Sequence, residues 1–378
     1  MKIAYLGIKG LPSKSGTERV IEALVNRLTR EHEITVYCDP SYTHYGTKVE
    51  GVRLIWLPTL KGKYLKPISY IILSSIHAFF SGDYDIIHLN GIENSFVLPL
   101  LRLRYPVIST SHGSAHSTPR DKWGKIPRKI MGLMEYPFVF FSNIATSVSR
   151  FDAVDLESRI GRRVIYIPNG VELNIEVNET ESSQLLDQYN IDPNTFILFA
   201  AGRIDPTKGC HTAIEAYKII SPHLPLLILG DLEQIPIYGN SLRELANGHH
   251  IIFHPPVTDK SIFFGIVKSC KIFLFPSISE GMSMMLLEAA SLGAPMICSD
   301  IPENMIVMKE STLYFRSGDE KDLAEKLQWA IQHPEVMNAL SHKASQLVST
   351  DYSWDKIVEQ YELLLETCTK KGGYPYEG

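Results

Sequence analysis

The residues of this chain that could do chemistry fall in four short stretches. The first is Gly202-Arg203-Ile204-Asp205-Pro206-Thr207-Lys208-Gly209, where a strand-like run reaches a turn and a helix opens near Cys210. Arg203 offers a planar fork of donors and Lys208 a point charge, a pairing suited to a diphosphate. In the second stretch, Glu280-Gly281-Met282-Ser283-Met284 leads on to Glu288. Glu280 stands just before a helix expected over 283–292, and the N–H groups of Met282, Ser283 and Met284 are donors that a helix start leaves unpaired. Glu288 can still reach a ligand laid across that start. The third stretch is His112-Gly113, at the end of an apolar run, where open α/β sheets hold ligands. The fourth, from Ile8 to Thr17, joins a strand to a helix opening at Glu18. It lacks G-x-G-x-x-G, which disfavours a dinucleotide site, yet small residues such as Gly16 at a helix N-terminus offer free N–H groups to an anion.

Other chemistries find no support. His112 and His116 have the spacing of a metal pair, but no Glu follows the first and no helix carries them. Asp83-Tyr84-Asp85 precedes a strand, so it is expected in a turn at the wrong end of its sheet for ligands. Five scattered cysteines without C-x-x-C spacing write neither a disulfide framework nor a zinc cluster, which fits a reducing cytosol. There is no nucleophile elbow and no P-loop. No metal or other cofactor is expected.

Apolar runs of strand length must position these residues. They lie at 3–7, 34–38, 52–57, 86–89, 107–111, 144–148 and 164–167, separated by amphipathic stretches. Such alternation argues for βαβ units and a parallel sheet. Residues 174–190 turn polar and acidic, with no strong apolar period, and a linker is expected near residues 170–190. The pattern restarts at 196–201, 226–230, 251–254, 272–275, 295–299 and 312–314. The expected fold is α/β, with two doubly wound, Rossmann-like domains facing across a cleft. The first spans 1–172 and the second 173–354.

Length and charge narrow the class. At 378 residues the chain holds about two domains' worth of sequence, and a net charge of −5 excludes a nucleic-acid binder driven by bulk positive charge. Residues 1–175 hold 22 Lys+Arg against 15 Asp+Glu, a balance of +7, which leaves −12 for the remainder. Lys61, Lys63 and Lys66 stand before the apolar run 68–80, and Arg120, Lys122, Lys125, Arg128 and Lys129 surround Trp123. The run 68–80 reads first as a core helix. A helix at a membrane interface is the competing reading, because cations beside an apolar face attract anionic headgroups. No apolar stretch is long enough for a transmembrane helix.

Taken in order, these residues resemble the retaining GT-B glycosyltransferases of glycosyltransferase family four. The resemblance runs through Asn169-Gly170-Val171, Gly202-Arg203-Ile204 with Lys208-Gly209, Leu229-Gly230-Asp231, Phe275-Pro276-Ser277, Glu280-Gly281 through Glu288-Ala289-Ala290, and Gly293-Ala294-Pro295. The first domain looks most like a bacterial branch described as rhamnosyltransferases, through Ile8-Lys9-Gly10-Leu11-Pro12 and Lys122-Trp123-Gly124-Lys125. Tyr352-Ser353-Trp354 resembles the point where such proteins send a last helix, here 355–378, back to the first domain. The chain departs from the family at Met282-Ser283, where an aromatic-Gly pair is usual, at Met285 in place of Pro, and at Ser15 in place of the first Gly of a pair.

The resemblance implies roles. Arg203 and Lys208 neutralise the donor diphosphate, with Gly16 approaching it from the first domain. Glu280 and His112 contact the donor sugar, and Glu288 the ribose. The N–H groups around Met282–Met284 hold sugar or phosphate oxygens. The expected activity is metal-independent, retaining transfer from a nucleotide-sugar to a saccharide, lipid-linked acceptor in bacterial surface polysaccharide or lipopolysaccharide biosynthesis. The expected place is the cytoplasm, peripheral on the inner face of an anionic membrane. A sugar-nucleotide epimerase or hydrolase, or a scaffold without activity, are the alternatives.

Overall fold

The computed structural model describes residues 1–13, 16–62, 65–114 and 125–371. Ser15, Lys63, His116, Arg120, Lys122 and Trp123 lie outside the described residues, as does the side chain of Lys125. The chain divides into two compact units, Met1–Gly170 with the segment from Trp354 onward, and Val171–Ser353. The last helix, Trp354–Lys371, therefore belongs to the first unit.

Seven strands form the first sheet: β1 (Lys2–Leu6), β2 (Glu33–Cys38), β3 (Val52–Trp56), β4 (Ile86–Asn90), β5 (Val107–Ser111), β6 (Ile144–Ser147) and β7 (Ile165–Tyr166). Their order is β3-β2-β1-β4-β5-β6-β7, and each neighbouring pair is parallel. The second unit holds β8 (Ile197–Arg203), β9 (Leu226–Asp231), β10 (Ile251–His254), β11 (Ile272–Phe275), β12 (Met296–Ser299) and β13 (Leu313–Phe315). These run parallel in the order β10-β9-β8-β11-β12-β13. Helices cover both faces of such a sheet, which is why its central strands read as unbroken apolar runs and end up buried. In each unit the chain reverses direction across the sheet at one point: between β1 and β4, and between β8 and β11. Ligands of doubly wound sheets collect at the carboxyl ends of strands at that switch.

Three expectations need correction. The polar stretch 174–190 contains the helix Glu179–Asp187, capped by the Asn178 side chain, which accepts from Glu181 N at 3.0 Å. This helix buries Ser182 and Leu186 alone, so its sequence shows no apolar period. It seats on the helix Lys260–Lys268 at Gly265, where a β-carbon would overlap the Ser182 side chain. Second, Arg203 is the last residue of β8 and not part of the loop beyond it.

The third concerns the apolar run 68–80. It forms the helix Leu65–Ser81, but its core face is made of Tyr70, Ile71, Ser74, Ser75 and Ala78. Leu65, Ile68, Ile72, Leu73, Ile76 and Phe80 are exposed. The small residues let the helix lie close to the sheet, and Tyr70 fixes it by donating from its hydroxyl to the carbonyls of Ile8 at 2.8 Å and Tyr37 at 2.6 Å. The larger apolar side chains are left on the outside. Among the described residues, no helix is long and apolar enough to cross a membrane.

Candidate active site

In the second unit the site grows from two adjacent strand ends. β8 and β11 pair in parallel, with Ile272 opposite Ile197 and Leu274 opposite Phe199. Beyond β8 the chain makes a single 3-10 turn, Pro206–Lys208, before the helix Cys210–Ile220. Gly209 joins them in the left-handed conformation at φ 69°, and a β-carbon there would overlap the Pro276 carbonyl oxygen beyond β11. Ile278 N donates to Thr207 O at 2.8 Å. The two loops are therefore in direct contact, and glycine is the residue that permits it.

This contact brings Lys208 to Glu280. Lys208 Nζ lies 2.7 Å from Glu280 Oε1 and 2.9 Å from Oε2. The Glu280 side chain is 8% exposed and that of Lys208 29%, so the pair sits half-sunk in the loops. Ser277 Oγ donates to Glu280 Oε1 at 2.7 Å. Behind it, Ser299 at the end of β12 donates to the Ser277 carbonyl at 2.5 Å, and Asn304 Nδ2 donates to Ser299 Oγ at 3.0 Å. Ser277, Ser299 and Asn304 are all buried. A chain of hydrogen bonds thus runs from the interior to the Lys208 ammonium. Five positions before Lys208, β8 ends on a second cation whose guanidinium contacts Asp205, with Arg203 Nη2 2.9 Å from Asp205 Oδ2.

Met282 is buried and Gly281 half-buried. Ser283 is the N-cap of the helix Met284–Ser291 in an extended conformation, and its side chain makes no capping bond. Glu288 is buried in the second turn of that helix. Ser277, Ser299, Asn304 and Asp205 were not singled out as site residues from sequence. Pro276-Ser277 belonged to the family pattern, but Ser299 and Asn304 join the site through strand adjacency, which leaves no local signal.

In the first unit, His112 follows β5 directly, and its Nε2 lies 3.1 Å from Asn90 Oδ1 at the end of β4. Burial pushes the imidazole down to about 4, against the opposing charge of Glu18, so it is neutral near pH 7. Asn94 Nδ2 donates to the carbonyls of Asn90 at 2.6 Å and Gly7 at 3.3 Å. Side-chain amides therefore stitch the ends of β1, β4 and β5 together. Gly16 opens the helix Gly16–Leu28 beside open space, so nothing in the described residues requires glycine there. The loop before it differs from the expectation of free N–H groups. Lys9 N donates to Glu18 Oε1 at 3.1 Å, and Ser13 N to Glu22 Oε1 at 3.3 Å. Carboxylates of the following helix occupy those two donors. Asp83 and Asp85 lie at the amino end of the sheet, where Lys2 takes both: its ammonium contacts Asp83 and its N–H donates to Asp85.

Two doubly wound units, with an Arg/Lys pair and a carboxylate gathered at a topological switch, have the architecture of GT-B glycosyltransferases. The family models agree: residues 14–175 match Glycosyltransferase Family 4 and residues 182–347 match Glycosyl transferases group 1. The chain belongs to this family of glycosyltransferases. It is 22% identical over 306 residues to the trehalose synthase of Pyrococcus horikoshii, covering 78% of this chain and 70% of that protein. It is 25% identical over 338 residues, 82% of each chain, to the UDP-Gal:alpha-D-GlcNAc-diphosphoundecaprenol alpha-1,3-galactosyltransferase of Escherichia coli. Among solved structures, Anabaena HepE in complex with UDP and glucose superposes with a TM-score of 0.80 at 17% identity, covering 97% of this chain and 100% of that one.

Proposed function

We propose that the chain moves a sugar from a nucleotide-sugar donor to a saccharide acceptor, with retention at the anomeric carbon and without a metal. The observation that carries this is the cation pair Arg203 and Lys208 at the end of β8, with Lys208 held against Glu280 by the touching loops. When a sugar–phosphate bond breaks, negative charge grows on the departing diphosphate. Two cations, with the N–H groups of Met282, Ser283 and Met284, can stabilise that charge without a metal. Preorganised donors of this kind are worth about 3–4 kcal/mol each in other active sites. HepE binds UDP and glucose, the two halves of such a donor.

In this reading Glu280 accepts hydrogen bonds from sugar hydroxyls and orients the ring, and Glu288 serves the ribose. His112, as a neutral imidazole, bonds a sugar hydroxyl, and Gly16 leaves room for the diphosphate. The test is nucleoside diphosphate release from a panel of sugar nucleotides in EDTA, with the anomeric configuration of the product read by NMR. Retained configuration and undiminished turnover are expected. Loss in EDTA that manganese or magnesium restores would overturn metal independence, and a sugar product formed without acceptor would point to an epimerase or hydrolase.

The acceptor side of the proposal is a lipid-linked saccharide on the inner face of an anionic membrane, in surface polysaccharide or lipopolysaccharide synthesis. Rhamnose is the sugar that the first-domain likeness favours. The exposed stripe Leu65, Ile68, Ile72, Leu73, Ile76 and Phe80 supports it, with Lys61 near its start. The helix Lys125–Phe141 adds exposed Ile130, Leu133 and Phe140 beside Lys129. The Escherichia coli relative carries diphosphoundecaprenol in the name of its acceptor. Apolar burial would anchor these helices, and each cation near anionic headgroups would add about 1 kcal/mol. Co-sedimentation with anionic but not neutral vesicles, weakened by salt, is the expected result. No binding to either vesicle would sink it.

A further inference from the structure

Asp205 has no part in the roles above, yet its carboxylate ties Arg203 at the end of β8 to the turn that carries Lys208. Oδ1 accepts from Thr207 N at 2.9 Å and from the Thr207 hydroxyl, capping the turn Pro206–Lys208. Oδ2 accepts from Arg203 Nε at 3.0 Å and lies 2.9 Å from Nη2. The Asp205 side chain is 7% exposed and that of Arg203 51%. The buried partner is therefore the fixed one. Asp205 is anchored by the turn, and the long, exposed Arg203 is held by Asp205 along one edge of its guanidinium. A guanidinium has five N–H donors, and this edge uses two, which leaves the outer Nη1 group to face a ligand.

We infer that Asp205 is a positioning residue that aims Arg203 at the donor diphosphate, an inference that rests on the nucleotide-sugar reading above. The opposite possibility is that Asp205 merely neutralises Arg203 and competes with the ligand. The geometry argues against it: Asp205 takes the Nε/Nη2 edge through the single oxygen Oδ2, its other oxygen is tied down by Thr207, and the Nη1/Nη2 edge is left for a ligand. The two readings differ in sign, so one substitution separates them.

In Asp205→Asn the amide oxygen can still cap Thr207, because Asn is as good an N-cap as Asp. The group facing Arg203 becomes an N–H donor that cannot accept. Calorimetric titration of wild type, D205N, R203A and the double variant against UDP, GDP, ADP and dTDP, and against the matching nucleosides, decides the matter. For the diphosphate that wild type binds, D205N should weaken binding about tenfold, as loss of a charge-assisted contact does. Nucleoside affinity and the unliganded melting temperature should stay where they were. In the R203A background D205N should cost nothing further, since it acts through Arg203. Unchanged or tighter binding in D205N, or an equal further loss without Arg203, overturns the inference. A wild type that binds none of the four diphosphates overturns the donor reading, and this inference with it.

Discussion

The two units share a strand order and differ in what they place at its switch point. At the ends of β8 and β11 the second unit gathers charges, and each cation has a carboxylate partner: Lys208 with Glu280, Arg203 with Asp205. At the ends of β1, β4 and β5 the first unit gathers no cation–carboxylate pair among the described residues: the neutral His112 imidazole meets the Asn90 side chain, the Asn94 amide donates to the Asn90 backbone carbonyl, and Glu18 and Glu22 are taken up by backbone N–H groups of the loop after β1. Its helices also leave broad apolar side chains uncovered, while the second unit's helix Met284–Ser291 buries Leu286, Leu287, Ala289 and Ala290. A common scaffold thus carries a polar, preorganised edge of ion pairs in one copy and an edge built on a neutral imidazole, with an apolar flank, in the other. The first suits an anionic leaving group. The second is where the proposed function puts the acceptor.

The sharpest way to break this contrast is Lys208→Ala. Losing a cation that meets a developing diphosphate should cost about 2–4 kcal/mol in the transition state, read as kcat/KM for the donor. Because Glu280 is then left with Ser277 as its bonded neighbour, unfolding stability should also fall, by about 1–3 kcal/mol. A well-folded variant with normal turnover would remove the second unit's claim to the donor.

Gly209→Ala comes next. It forces a side chain into the left-handed region and into the Pro276 carbonyl, for at least about 2 kcal/mol by urea unfolding, and it should displace Lys208 as well. Stability equal to wild type would show that the loops do not depend on that contact.

The first unit's buried imidazoles predict acid sensitivity. Burial, with nearby His112, pushes the His88 imidazole down to about 3, and His112 itself sits at about 4. Both titrate near 6.5 when unfolded, so below that pH the unfolded chain binds more protons than the fold. Their stabilisation is complete above pH 6.5 and declines as the pH falls toward 4 and 3. His88, fully buried, should contribute a slope of up to about 1.4 kcal/mol per pH unit. Melting temperatures between about pH 8 and pH 5 check this, and His88→Leu should flatten the profile.

The smallest effect on stability, and the one that sharpens the apolar half of the comparison, is Ile72→Glu with Ile76→Glu. Both side chains are exposed, so unfolding should shift by no more than about 0.5 kcal/mol. Vesicle binding should nevertheless drop. Binding that survives would move the contact elsewhere on the first unit.

Much of this was legible from the sequence, and the reason is period. Parallel strands buried on both faces favour apolar residues, so most of the thirteen strands among the described residues show as largely apolar runs whose ends shift by one or two residues, although β3 carries Arg53 and β5 ends in Ser-Thr-Ser. The positions of Arg203, Lys208 and Glu280 beside strand ends were legible from the sequence, while the roles given to them came from the family resemblance. The helix Glu179–Asp187 was not legible, since it is held by a cap and by a glycine on a distant helix and not by an apolar face. The orientation of the helix Leu65–Ser81 was not legible either. Apolarity alone gives no sign of which face meets the sheet, and here small residues and the Tyr70 hydroxyl decided it. The pairing of Lys208 with Glu280, 72 residues apart, and the line of Ser277, Ser299 and Asn304 behind it exist because β8, β11 and β12 lie side by side. The sequence by itself determined which groups this protein has available and at which strand ends they stand. Only the tertiary structure decided which of them meet, because strand order, which no local pattern encodes, sets the neighbours of every loop.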